Sequence, residues 1–316
     1  MDIKEPQVLE ICRKCDLEYE SFELLGRGAF NINYLLHTKQ GKYVLRVENN
    51  IQFQNLEKEY EILKTLDGRF GPKVYLFDNS KKIIPRDFLI EEFIVGEHPT
   101  ECTDDFIQTM GKWYKRLHQI KAKLTDLKEP RFSIKRTFET YTYNPFHKNK
   151  CVLDDDLRNT LEPLFERALT IVQKNDKLFS RRTHFSLIHG DPTRFNIFYQ
   201  KGSVRLVDWE FAQYYLRELD LAFFVWSYEL DDKKKMEFLH HTGYPSSQFA
   251  MKQFEIIYLV HCLDMLVWRI DRLRLIFEGK IDKRQKGSTK EEMMEGIYED
   301  IPKIKSSLEN PVLFSL

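Results

Sequence analysis

The chain of 316 residues has 49 Lys plus Arg against 49 Asp plus Glu, so no global field draws it to nucleic acid or to an anionic membrane. With 42% hydrophobic residues it can bury a sizeable core, and it is longer than the size at which single cores tend to divide, which predicts two lobes. Five cysteines, with Cys12-x-x-Cys15 lacking a second ligand pair at zinc spacing, read as the reduced thiols of a cytoplasmic protein. The charged N-terminus has no apolar segment of a secretory signal, and the most apolar long run, 256–268, is interrupted by His261 and Asp264 and too short for a bilayer.

In chain order, residues 22–25, 32–37 and 43–47 are short β-type runs separated by Gly26-Arg27-Gly28 and Gly41-Lys42, which predicts a glycine-hinged hairpin and a third strand. The period then changes: Leu56, Tyr60, Leu63 and Leu66 fall on one helical stripe within 52–66. Residues 74–77 and 88–93 read as two more strands, after which Gly96 and Pro99 mark a lobe boundary near residue 95. Beyond residue 100 the period is mainly helical, at 105–120, 157–175 and 253–277, with an irregular aromatic and basic linker at 132–149 and one strand-rich island at 186–208. Strands first and helices after predict an α+β fold with segregated elements, a small β-rich lobe with one helix over 1–95 and a larger, mainly helical lobe over 96–316.

The island carries the chemistry. Its apolar approach ends in His189-Gly190-Asp191, an Asn follows at 196, and a hairpin turning at Lys201-Gly202 leads to Asp208-Trp209-Glu210. Transfer of a γ-phosphoryl group needs a carboxylate near the attacking hydroxyl and hard oxygen ligands for Mg²⁺ on the phosphates. Asp191 suits the first role, and Asn196 and Asp208 suit the second, because chain reversal brings the two metal ligands together. Upstream, Gly26-Arg27-Gly28-Ala29-Phe30-Asn31 sits between two strands, where glycines let backbone N–H groups approach phosphate.

These residues resemble the aminoglycoside phosphotransferase family and its choline and ethanolamine kinase relatives, whose catalytic loop reads H-G-D or H-N-D with Asn five later, followed by D-W-E or D-F-E. H-R-D, D-F-G and A-P-E of ordinary protein kinases are absent from the sequence. The resemblance extends over nearly all of 19–280 and implies a bilobal protein-kinase-like fold and a phosphotransferase with an alcohol acceptor, using Mg²⁺ and ATP or GTP. It implies that Arg46 stands where kinases carry the lysine that holds the α and β phosphates, that Glu59 is its helical partner, and that backbone atoms from Glu91 to Phe93 contact the base. A guanidinium stays charged and can hold phosphate bidentately, so nucleotide binding need not be lost by this departure. Candidate nucleotide ligands are thus Gly26, Gly28, Asn31, Arg46, Glu59, Glu91 and Phe93. Asp220, at the start of a helical run, reads as an N-cap.

The acceptor implied by the resemblance is small, hydroxylated and often cationic, for which Trp226, Tyr228, Glu229, Asp264, Trp268 and Asp271 supply aromatic faces and carboxylates. Two other classes fit parts of the sequence: a non-catalytic pseudokinase scaffold, which would not need Asp191, Asn196 and Asp208 together, and an atypical protein kinase, for which the short interval between Glu210 and Asp220 leaves little peptide-binding platform.

Overall fold

A computed structural model describes residues 3–28, 31–49, 56–121, 132–180, 185–200, 202–280 and 289–314. It divides into two compact units, one of residues 1–113 with 189–213 and one of 114–188 with 214–316. The first unit therefore draws segment 189–213 from far along the chain, and the candidate site residues of both stretches fold together.

The first unit is built on a five-stranded antiparallel sheet in the order β1-β2-β3-β5-β4: β1 (Tyr19–Arg27), β2 (Asn31–Thr38), β3 (Gly41–Glu48), β4 (Val74–Asp78) and β5 (Phe88–Glu92). A helix not apparent in the sequence pattern, α1 (Glu5–Lys14), covers one face. Its Val8, Ile11 and Cys12 join Leu36, Leu45, Phe88 and Ile90 in a core that excludes water. Lys14 closes the contact on Asp78 at 2.5 Å and holds that carboxyl down to about 2, against the opposing effect of burial. The helix α2 (Leu56–Leu66) buries Leu56, Glu59, Ile62, Leu63 and Leu66. A charged Glu59 on the apolar face is the exception that needs a partner, and the site supplies it. Residues 50–55, the start of the expected helix, lie outside the described residues.

The returning segment adds a hairpin of β7 (Ile197–Gln200) and β8 (Ser203–Leu206), in unbroken register from Ile197 opposite Leu206 to Gln200 opposite Ser203. It is fastened by three independent contacts. Glu97 and Tyr199 exchange backbone hydrogen bonds at 3.1 and 2.9 Å, the Leu206 N–H donates to Phe70 O at 2.8 Å, and Arg205 pairs with Glu92 and with Gly71 O. Trp209 is fully buried, its Nε1–H donating to Leu206 O at 2.8 Å.

The second unit is mainly helical: α4 (Ile134–Phe138), α5 (Asn144–Asn149), α6 (Asp155–Asn175), α7 (Glu218–Ser227), α8 (Asp232–Thr242), α9 (Gln248–Phe277) and α10 (Lys290–Glu309). The helix α3 (Asp104–Leu117) carries the chain into it, and β6 (Phe185–Ile188) pairs with β9 (Gln213–Leu216). Segment 132–149 corrects the expectation of an irregular linker. Ser133 caps α4 by accepting from the Arg136 N–H at 3.1 Å, a π-helical turn spans Glu139–Tyr143, and Phe146 stacks on Phe165 with centroids 3.8 Å apart. Burial of its aromatics, not helical period, organises the segment. Asp220 sits inside the first turn of α7 and not at its cap, which is Arg217; it lies fully buried, 3.7 Å from His118. Among the described residues, no helix is long and apolar enough to cross a membrane.

Gly71 makes the close fit at Trp209 testable, since a Cβ there would stand 2.5 Å from Trp209 Nε1 and 2.9 Å from Leu206 O. Gly71→Ala is predicted to cost about 1–3 kcal/mol by overpacking, read as a lowered urea midpoint at unchanged slope. An unshifted midpoint would show that the hairpin does not depend on this contact.

Candidate active site

The site in the first unit is organised by one buried cation. Arg46 points from the middle of β3, 3% exposed, and its Nη1 lies 2.9 Å from Glu59 Oε1 while Nη2 donates to Asp208 Oδ1 at 2.7 Å. Glu59 is fully buried, and the same Oε1 also accepts from the Trp209 backbone N–H at 2.9 Å. One carboxylate oxygen thus ties the β3 cation to the segment bearing Asp208. Burial alone would lower the pKa of Arg46, but Glu59, Asp208 and Glu91 outweigh it and keep the guanidinium charged.

The loop before β7 is held by His189. It is fully buried, its Nε2 lies 3.0 Å from Val207 O, and its Nδ1 accepts from the Asp191 N–H at 3.3 Å. Those two bonds assign the neutral tautomer protonated on Nε2, so the ring braces the loop and keeps no nitrogen for proton transfer. Gly190 is required for two reasons: its φ is +85°, and a Cβ would fall 2.6 Å from Phe211 O. The loop then presents Asp191, whose Oδ2 accepts from Asn196 Nδ2 at 3.1 Å while its backbone O accepts from the same group at 2.9 Å. Asn196 in turn accepts the Val207 N–H at its backbone O, 2.9 Å, at the base of the β7–β8 hairpin.

Asp208 follows directly, in a left-handed backbone at φ 67° and ψ 63°. Such a conformation costs a non-glycine residue of order 1–3 kcal/mol and persists where the surroundings over-determine it, here through Arg46 ahead and the Trp209 anchor behind. Asp208 keeps 37% of its side chain accessible, whereas Arg46 and Glu59 are sealed. With Asn196 Nδ2 committed to Asp191, the Asn196 amide oxygen and the Asp208 carboxylate are hard oxygen donors of the site, a set that fits Mg²⁺ shared with phosphate oxygens. No group of three His, Cys, Asp or Glu suited to a metal occurs among the described residues.

Other predicted residues are distributed unevenly. Gly26 lies within β1 opposite Asn33, and the Gly28 N–H donates to Asn31 O at 2.8 Å, closing the turn from β1 to β2; Ala29 and Phe30 lie outside the described residues. The Asn31 amide reaches Glu210 Oε2 at 3.2 Å, so this side chain braces the acidic motif. Glu91 pairs with Val44 on one side and Val74 on the other within the sheet, and its side chain is buried 3.8 Å from Arg46. Phe93 is the first residue to leave β5, which makes it the first of the expected base-contacting stretch outside the sheet. Sequence reasoning missed the side-chain position of Glu91, the bracing by His189 and the contact of Lys58 Nζ with Glu210 O at 3.4 Å. The first needed the pairing of two strands as well as the alternation within each: with Val44 opposite Glu91, Arg46 is its diagonal neighbour on the same face.

Burial raises the carboxyl groups of Glu59, Glu91 and Glu210, with Arg46 opposing in each case. One guanidinium faces more carboxylate than it can neutralise.

The profile of the phosphotransferase enzyme family matches residues 21–247. A protein LicA homolog of Mycoplasma capricolum subsp. capricolum is 24% identical over 237 residues, 75% of this chain and 86% of the relative. Among solved structures, a putative aminoglycoside phosphotransferase from Ralstonia eutropha JMP134 superposes with a TM-score of 0.69 at 15% identity, covering 98% of each chain. A choline kinase from Cryptosporidium parvum Iowa II superposes with a TM-score of 0.66 at 17% identity, covering 99% of this chain and all of that one. These likenesses show a kinase-like fold.

Glu59→Ala would leave the Trp209 N–H without its acceptor and take one carboxylate from Arg46. The predicted loss is about 2–3 kcal/mol in chemical denaturation. A change under about 0.5 kcal/mol, the range of an ordinary surface substitution, would reduce the Arg46–Glu59–Trp209 link to an incidental contact.

Proposed function

Because this chain belongs to the phosphotransferase enzyme family, whose members phosphorylate hydroxyl groups, we propose that it is a Mg²⁺-dependent kinase moving the γ-phosphate of ATP or GTP to a small, cationic alcohol. In this reading residues 1–95 bind the nucleotide and 96–316 supply the catalytic loop and the acceptor site. The observation that supports it most is the convergence of Asp191, Asn196, Asp208 and the Arg46–Glu59 pair within one unit.

Asp191 is the base candidate: its carboxylate is aimed by Asn196 and its backbone by His189, so it can orient an acceptor hydroxyl and take its proton. Arg46, charged and held on its Nη1 side by Glu59, turns Nη2 toward Asp208, the edge of the guanidinium that this reading assigns to a phosphate oxygen. Asn196 and Asp208 would hold the metal, which when bound neutralises charge on the phosphates. Direct in-line transfer needs no covalent intermediate, since positioning and charge balance provide most of the rate.

A cationic acceptor is supported by a cavity of about 570 Å³ in the helical unit. Tyr141 and Trp268, exposed by 71% and 48%, stand at it with Asn149, Asp264 and Asp271. Asp271 is paired with Arg274 at 2.9 Å, whereas the bond described for Asp264 comes from the Thr142 hydroxyl, and burial pushes this carboxyl up to about 7. An aromatic-walled space with a carboxylate lacking a described cationic partner suits an ammonium group. The choline kinases among the solved structures, one of them the LicA of Streptococcus pneumoniae, point to amino alcohols, and the putative aminoglycoside phosphotransferase to amino sugars.

The test is nucleotide consumption with Mg²⁺ against a panel of amino alcohols, aminoglycosides, sugars and nucleosides. Asp191→Ala is expected to lower turnover about 100-fold or more while sparing nucleotide affinity, and Asp208→Ala to weaken the metal–nucleotide complex. Parent turnover in both variants would overturn the assignment. Acceptor affinity also depends on pH, because only ionised Asp264 attracts a cation. Affinity should rise as pH rises through about 7, and Asp264→Asn should abolish that rise. Unfolded, this carboxyl titrates near 3.8, so the folded state holds the extra proton between there and about 7. Wild-type stability relative to Asp264→Asn should therefore fall as pH rises across that window, measured by urea titration.

A further inference from the structure

We infer that Glu91 is a second positioning carboxylate for Arg46, needed because the nucleotide-site cation is a guanidinium and not an ammonium. The inference rests on the kinase reading for its consequence in nucleotide binding, but its geometric content stands on the sheet itself.

An ammonium is a compact charge that one carboxylate can anchor, whereas a guanidinium is a plane whose orientation decides which N–H faces a ligand. Glu59 contacts Nη1 and Asp208 contacts Nη2, but Asp208 is the residue that must also serve a metal, so within the sheet and α2 Glu59 alone would hold the plane by one nitrogen. Glu91 Oε1 approaches the same nitrogen at 3.8 Å from the adjacent strand, with 4% of each side chain exposed. The two carboxylates arrive from different elements, one on α2 and one on β5, and together leave Nη2 directed at Asp208. Both also carry an orphaned oxygen: Glu59 Oε2 and Glu91 Oε2 are buried without a hydrogen-bond partner, as is Arg46 Nε. A carboxylate buried beside other carboxylates costs several kcal/mol unless compensated, so Glu91 is a costly side chain at this position. The cation described beside it is the residue it would position.

The experiment is a double-mutant cycle on the full chain, Glu91→Leu and Arg46→Lys, with dissociation constants for ADP and for adenosine measured by calorimetry in Mg²⁺ buffer. With Arg46 present, Glu91→Leu should weaken ADP about tenfold, the scale of a 1.4 kcal/mol coupling, and leave adenosine unchanged, since only the diphosphate uses the cation. Glu91→Gln, which keeps an oxygen toward Nη1, should restore affinity to within about twofold. In the Arg46→Lys background, Glu91→Leu should have no further effect. Thermal midpoints of Glu91→Leu should be equal to or above the parent's, which separates positioning from loss of fold.

An equal loss for ADP and adenosine, or the same tenfold loss in the Arg46→Lys background, would overturn the inference. If the parent protein binds neither ligand, the kinase reading fails, and the guanidinium resonances of the unliganded protein then decide the role of Glu91. Slow rotation about the Nε–Cζ bond of Arg46 in the parent and fast rotation in Glu91→Leu would uphold it, and equal rates would sink it.

Discussion

Everything described for the first unit depends on how one buried positive charge is balanced. Arg46 is removed from water in the middle of a sheet, and an unpaired guanidinium there would be untenable. Its partners come from three places in the chain: Glu59 on α2, Glu91 on β5 and Asp208 after the distant hairpin. Satisfying the charge therefore assembles the site. The helix must pack where Glu59 reaches β3, and the segment 189–213 must return to the sheet where Asp208 reaches Nη2. The double use of Glu59 Oε1, on Arg46 and on the Trp209 N–H, gives the return a backbone anchor as well as a side-chain one.

The excess of carboxylate around that cation has a chemical reading. A site with more acid than base, in a low dielectric, raises the cost of every negative charge in it, which is why burial and mutual repulsion push Glu59, Glu91 and Glu210 upward. Such an arrangement is poor as a stabilising device and well suited to receiving cations. On the proposed reading, a divalent ion at Asn196 and Asp208 would relieve the repulsion, and that relief would add to the affinity for a metal–nucleotide complex. The left-handed backbone of Asp208 belongs to the same trade: strain is held at the residue that must project its carboxylate outward.

How much of this was legible in the sequence differs by kind of signal. The helical stripe of α2 follows from period, because it has one face in water and one in a core, whereas β2, β3 and β5 are buried largely on both faces and were legible as short apolar runs bounded by breaks. The loop from His189 to Asn196 was legible because phosphotransfer needs particular residue types at short spacing. The α1 helix was not, since its mixed sequence shows only Val8, Ile11 and Cys12 to a core that exists once the sheet has formed. Segment 132–149 was misread for a related reason: its aromatics are buried by tertiary contact, and a π-turn shifts the helical period that a pattern search relies on. Glu91 was assigned to the site through its backbone, while its side chain is what meets Arg46; a register, which no single strand reveals, was the missing step.

The helical unit poses the same electrostatic problem with a different solution. At Arg46 the buried charge is met by residues the chain itself supplies, whereas Asp264 has one hydroxyl described as its donor and no described ion pair, although Lys148 lines the same cavity. A carboxylate in that setting holds its proton near neutrality, and the fold gains little from it: leucine or asparagine would cost less to bury. Retention of a costly group at the wall of a large cavity, next to Trp268 and Tyr141, is explained when the compensating charge arrives with a ligand. On the proposed reading the two units share one logic, in which carboxylates left short of positive charge by the protein mark where cationic ligands would bind.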